Sequence, residues 1–136
     1  MTGGAVIDVA AALIQDDGGR YLLTRRRRGT HLEGLWEFPG GKREPDESIE
    51  ACLRRELAEE LAARFEVGER VETVRWQYPE KTVVLHFHRC RLQSGTIVPC
   101  EGQEMAWVEP ARLHEYEFPA ADHALIERLR QPKEAP

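Results

Sequence analysis

The stretch Gly41–Ala63, GKREPDESIEACLRRELAEELAA, limits what this chain can become more than any other. Ile49, Leu53, Leu57 and Leu61 recur every fourth residue. At ~100° per residue that spacing predicts a helix with one slowly drifting apolar stripe, and Asp46 or Ser48 is placed to cap its start. Glu56, Glu59 and Glu60 then stand at i, i+3 and i+4, where side chains are neighbours. Three like charges so placed repel one another, so the arrangement calls for a positive partner. Clustered hard oxygen donors suit Mg2+ or Mn2+. A Glu-rich helix is more often a solvated acidic face; the register of these charges, not their number, argues for a site.

That register resembles the Nudix box, Gly-x5-Glu-x7-Arg-Glu-aliphatic-x-Glu-Glu-x-Gly-aliphatic, at its first glycine, Gly41, and at every charged position: Glu47, Arg55, Glu56, Glu59 and Glu60. Two positions depart from the pattern. Ala62 stands where it has Gly and Ala63 where it has a larger aliphatic, which leaves open whether the helix runs on or ends in a different turn. Both lie after the carboxylates, so they bear on the helix exit rather than on the metal-facing residues.

A chain of 136 residues, 41% of them hydrophobic, is the size of a single domain. Its core is expected over about residues 5–130, followed by a polar tail over 131–136. A net charge of −5 argues against binding duplex nucleic acid through a broad basic surface. Cys52, Cys90 and Cys100 form no CxxC pair and leave one cysteine over, so reduced thiols in a cytoplasmic protein are expected. No apolar run approaches the roughly 18 residues of a membrane span, and Met1–Gly4 lacks the basic start of a signal peptide.

Ala5–Ile14 reads as a strand buried on both faces. The turn signal Asp16-Asp17-Gly18-Gly19 sends the chain back into a second strand over Arg20–Thr24, so the two are expected to form a hairpin. Four consecutive arginines, Arg25 to Arg28, follow. An extended chain end aims at least one of them inward, where a guanidinium can grip phosphate with two parallel bonds. Gly29 to Glu33 reads as loop. In Leu35-Trp36-Glu37-Phe38-Pro39-Gly40-Gly41-Lys42, the two glycines let backbone approach a ligand closely. Beyond the helix, Val71–Tyr78 and Thr82–Leu92 form a second strand pair around Pro79-Glu80-Lys81. His86 and His88 share a face there, but no third ligand accompanies them, and they read as structural. A short strand within Gln103–Val108, a short helix over Pro110–Tyr116 and a longer helix over Pro119–Leu129 complete the chain.

Beyond the box, the resemblance to MutT-type Nudix hydrolases rests on Arg25-Arg26, GLWEFPGGK, Glu101-Gly102-Gln103 and Phe118-Pro119-Ala120-Ala121-Asp122. It implies an α/β (α+β) Nudix fold, an α/β/α sandwich whose mixed sheet lies between the box helix and the C-terminal helix. It implies Mg2+-dependent hydrolysis of nucleoside triphosphates to monophosphate and pyrophosphate by a monomer or homodimer. In that scheme Glu59 and Glu60 are metal ligands, Glu56 is a ligand or orients the water, Glu101 is a further ligand or the general base, and the Gly40 carbonyl is a ligand. Arg55 pairs with Glu47 as a brace. Arg26 and Lys42 handle phosphate charge, while Glu37, Phe38, Tyr78 and Asp122 are substrate-binding candidates. Asp122 stands where MutT has Asn. It either reads the base or caps the last helix, and an ionised carboxylate there suits the exocyclic amine of cytosine. Oxidised purine triphosphates such as 8-oxo-dGTP lead as substrate, with CTP, dCTP or 5-substituted cytidine nucleotides as the alternative. Nudix relatives that only bind ligands usually lose box carboxylates, and this chain keeps them.

Overall fold

The computed structural model describes residues 4–132; the first three residues and most of the expected tail lie outside that range. Strands β1 (Ala5–Ile14), β2 (Tyr21–Arg25), β3 (Trp36–Glu37) and β4 (Gly40–Lys42) precede helix α1 (Ile49–Leu61), and strands β5 (Arg64–Tyr78), β6 (Lys81–Ser94) and β7 (Met105–Val108) follow it. A 3-10 turn over Pro110–Glu115, another over Ala120–Asp122 and helix α2 (His123–Arg130) end the described chain.

The strands make a mixed four-stranded sheet, β4-β1-β6-β5, and an antiparallel three-stranded sheet, β3-β2-β7. Strand β1 pairs in parallel with β6 along its whole length, from Ala5↔Lys81 to Ile14↔Cys90. Its other edge takes β4, with Ala10 opposite Gly41 and Ala11 opposite Gly40. Both edges of β1 are thus occupied, and this corrects the expected hairpin: β2 cannot pair with β1 and joins the smaller sheet instead. The Asp16 turn still forms, since the Asp16 carboxylate accepts from the amides of Gly18 and Arg20, but a single bridge, Gln15↔Tyr21, is all that links the two strands.

Period-two alternation along β1 divides the core into two layers. Ala10, Ala12 and Ile14 face α1 and pack with Cys52, Leu53, Leu57 and Leu61, the buried stripe of that helix. Ala11 and Leu13 face the other way, into a cluster with Phe38, Phe87, Leu113, Leu125 and Ile126. The sheet is therefore sandwiched between helices as expected. His86 and His88 are structural in the same sense: His86 meets Asp8 at 2.8 Å, and His88 donates to the Gly68 carbonyl at 2.9 Å.

Helix α1 starts where Ser48 accepts from the Ala51 amide, so Ser48 and not Asp46 is the cap. It ends at Ala62, whose φ of 56° and ψ of 33° lie in the left-handed region. The turn that the motif's glycine would make is kept, with alanine forced into it. Three expected boundaries moved. Strands β5 and β6 are longer than their β-branched runs, and β3 and β4 are too short for any periodicity to reveal. The last helix begins only at His123, after the 3-10 turn at Ala120.

Candidate active site

The strand ends and the loop before β7 converge on the polar flank of α1, leaving a cavity of about 210 Å³. Helix and loop contribute Glu56, Glu60 and Glu101 to its lining; β2, the turn after it and β3 contribute Thr24, Arg26, Arg27 and Glu37. Burial, and then the negative charge of Glu56, push the Glu60 carboxyl far above the usual range. Glu56 lies hard against the backbone, because a Cβ on Gly41 would sit only 2.4 Å from its carboxyl carbon. Gly40 is equally constrained: a Cβ there would meet the Ala10 carbonyl at 1.9 Å. The sequence GG at this point is therefore a packing requirement of β4 against β1 and α1.

Arg55 braces the assembly from behind. It grips both oxygens of Glu47 at 2.7 and 2.9 Å and reaches Glu56 at 3.0 Å and the Lys42 carbonyl at 3.2 Å. Those bonds hold the Glu47 carboxyl down at about 2. Arg26 donates to the His31 carbonyl and to Glu37 at 3.0 Å. Burial nevertheless raises the Glu37 pKa, against the pull of Arg26. Gln103, itself buried, accepts from the Glu101 amide at 2.9 Å and donates to the Glu60 carbonyl at 3.2 Å, tying the loop carboxylate to the last turn of α1.

A second cleft of about 220 Å³ adjoins the first and shares Arg26, Glu37 and Gly40 with it. Its walls are mostly apolar, with Phe38, Leu85 and Phe87 in the lining alongside Tyr78 and Asp122. Phe38 serves core and cleft at once, since its ring meets Phe118 at 5.6 Å and Phe87 at 6.1 Å. Tyr78 stands edge-on to His31 at 5.4 Å. Asp122 is only 6% exposed, and burial, then the negative charge of Glu37, raise it to about 7. Its side chain caps no amide of α2.

A family profile described as the NUDIX domain matches residues 9–128. The chain belongs to the Nudix family. It is 37% identical over 124 residues to the 8-oxo-dGTP diphosphatase of Haemophilus influenzae, covering 91% of each chain. It is 38% identical over 122 residues to the CTP pyrophosphohydrolase of Escherichia coli, covering 90% of each. The crystal structure of a MutT protein from Methanosarcina mazei superposes with a TM-score of 0.83 at 28% identity, over 95% of this chain and 96% of that one. The fold is that of the MutT proteins, and the chain is a Nudix hydrolase.

Of the residues singled out from the Nudix resemblance, the structure gathers Glu56, Glu60, Glu101, Gly40, Arg26 and Glu37 around the first cavity. Phe38, Tyr78 and Asp122 line the cleft, and Lys42 joins them there rather than the carboxylates. Glu47 and Arg55 stand behind Glu56 as expected of a brace. Glu59 lines neither cavity: it is 58% exposed and is held by Arg55 at 3.5 Å. Among the described residues no three carboxylate, His or Cys side chains converge tightly enough to wrap an ion. The donor chemistry still fits one, because Glu56, Glu60 and Gly40 line the same cavity, and the crowding of Glu60 by burial and by the charge of Glu56 is what a cation would relieve. Four residues of this Nudix site were not singled out from sequence: Gln103, Thr24, Arg27 and, within the stretch read as loop, Thr30. Gln103 was visible only as part of the EGQ segment, Thr24 as the one polar residue closing an apolar strand, and Arg27 as one of four identical neighbours.

Proposed function

We propose that this protein hydrolyses nucleoside triphosphates to the monophosphate and pyrophosphate, with 8-oxo-dGTP as the leading substrate. The observation that carries the proposal is the continuity of two unlike cavities, one lined by carboxylates and arginines, the other largely apolar, with Asp122 the one carboxyl that it does not share with the first. The first suits a polyphosphate and the second a base, and Arg26, Glu37 and Gly40 mark the junction. The diphosphatase and pyrophosphohydrolase names of the relatives support this reading.

Glu56, Glu60 and the Gly40 carbonyl would hold Mg2+, with Mn2+ an acceptable substitute and Glu59 within the same helical register. When bound, the divalent cation supplies charge neutralisation at the phosphate oxygens and makes nearby water more acidic. Glu101, half-exposed on its loop and fixed by Gln103, accepts the proton of the attacking water. Arg55 keeps Glu56 oriented, and Arg26 faces the phosphates at the junction. The water oxygen bonds to a phosphorus of the anhydride as the bridging P–O bond breaks, leaving monophosphate and pyrophosphate. The apolar cleft holds the base against Phe38 and Tyr78.

A cytidine nucleotide is the second reading, and Asp122 favours it. Ionised, its carboxylate accepts from the exocyclic amine of cytosine; protonated, it both donates and accepts, which suits the lactam edge of 8-oxoguanine. A pKa near 7 puts both forms within reach at neutral pH. The test is a competition among 8-oxo-dGTP, dGTP, CTP, dCTP and 5-methyl-dCTP, repeated with Asp122→Asn. If Asp122 reads the base, the ratios of kcat/KM between purine and cytidine substrates should shift by roughly tenfold. Equal loss on every substrate would reduce Asp122 to a structural residue.

A further inference from the structure

Arg27 is the cation of the first cavity whose guanidinium is least committed to the protein. Of its neighbours, Arg25 is bonded to Glu104 at 3.1 Å and to the Gly34 carbonyl at 2.9 Å, and lies over the Trp36 ring at 5.7 Å. Arg26 is bonded to Glu37 and to the His31 carbonyl. Arg28 does not line the cavity. Arg27 lines it, is 55% exposed, and approaches Glu101 only to 3.9 Å, beyond hydrogen-bond distance. Its backbone, by contrast, is held, because its carbonyl accepts from both the amide and the hydroxyl of Thr30, at 3.2 and 2.6 Å. A fixed backbone thus carries a loosely held guanidinium over a cavity that Glu37, Glu56, Glu60 and Glu101 also line.

The placement of Arg27 also says which part of a substrate it would meet. Residues at the junction, Arg26, Glu37 and Gly40, line both cavities, whereas Arg27 lines the first cavity and not the base cleft. Resting on the function proposed above, we infer that Arg27 grips the distal phosphates, the part released as pyrophosphate, and so sets the preference for nucleoside triphosphates over diphosphates. Glu101 holds the guanidinium loosely until phosphate replaces it, since a planar fork binds a phosphate through two charge-assisted bonds that a single 3.9 Å approach does not supply. The sequence alone gave no reason to separate Arg27 from its three neighbours.

The test compares the wild type with Arg27→Gln and Arg27→Lys in Mg2+, measuring kcat/KM on a triphosphate and on the matching diphosphate, and inorganic pyrophosphate binding by calorimetry. Arg27→Gln should lower kcat/KM on the triphosphate by roughly tenfold more than on the diphosphate and weaken pyrophosphate binding by a similar factor. Arg27→Lys, which keeps the charge and loses the fork, should fall between. Equal losses on both nucleotides, or pyrophosphate bound as tightly by Arg27→Gln as by the wild type, would overturn the inference. The wild-type arm separates the two levels: no triphosphate turnover there would sink the proposed function itself, while turnover with an unchanged Arg27→Gln ratio would sink only the role of Arg27.

Discussion

Asp122 is the buried titratable group on which the proposed base selection turns. Its folded pKa of about 7 lies above the ordinary 3.8, so the folded protein holds that proton more tightly than the unfolded chain. The stability this contributes is complete below the ordinary value and is lost as pH rises through the folded one. Asp122→Asn should therefore raise Tm by several degrees more at about pH 8 than at about pH 5, and a difference independent of pH would show that Asp122 is not buried as a carboxylic acid. The same titration should appear in specificity. Between about pH 6 and pH 8 the kcat/KM ratio of cytidine to 8-oxoguanine nucleotides should climb in the wild type and stay flat in Asp122→Asn. The position of Asp122 was legible from sequence, since the FPAAD segment marks it. What sequence left open was whether it caps α2, and that depended on a side-chain direction that only the packed 3-10 turn before α2 decides.

At the scale of elements, α1 shows how far a local pattern reaches. Its stripe, its start near Ser48 and its charges were all readable, because helix periodicity and capping are local. Its end was not, because Ala62 breaks the motif while the fold keeps the left-handed turn. Alanine in that conformation costs about 1–2 kcal/mol. Ala62→Gly should therefore stabilise the protein by about 0.5–1 kcal/mol in urea unfolding, the unfolded-state entropy of glycine offsetting part of the gain. The loop before β7 shows the opposite limit. Gln103 sits in a legible EGQ segment, but its partner is a backbone carbonyl of α1 more than forty residues away in sequence, at Glu60. Gln103→Met leaves the Glu101 amide without its partner, and should lower kcat with little change in KM as Glu101 loses its position. Restoration of the rate by Gln103→Asn or Gln103→Glu is not expected, because neither keeps both the reach and the donor. A rise in KM alone would argue that Gln103 acts on substrate binding instead.

The whole molecule joins a charged cavity and an apolar cleft through a sheet that no single segment encodes. The hairpin expected from Ala5–Thr24 failed because β6, from far along the chain, claims the edge of β1 in parallel register, a non-local pairing that turn chemistry cannot foresee. The two-layer core was legible in outline from the apolar run of β1, which reads as a strand buried on both faces, and the meeting of Arg26, Glu37 and Gly40 between the cavities was not, since β3 and β4 are too short to announce themselves. The central claim is that the carboxylates of α1 drive divalent-dependent cleavage of a nucleoside triphosphate between its phosphates. Its most direct test is turnover of 8-oxo-dGTP in Mg2+ with the products resolved, for the wild type, Glu56→Gln and Glu60→Gln, and for the wild type after exhaustive chelation. The expected result is monophosphate and pyrophosphate from the wild type, a loss of about a hundredfold or more in kcat for each variant with the fold intact, and none of that activity after chelation. Full turnover without a divalent cation, or in either variant, would contradict it.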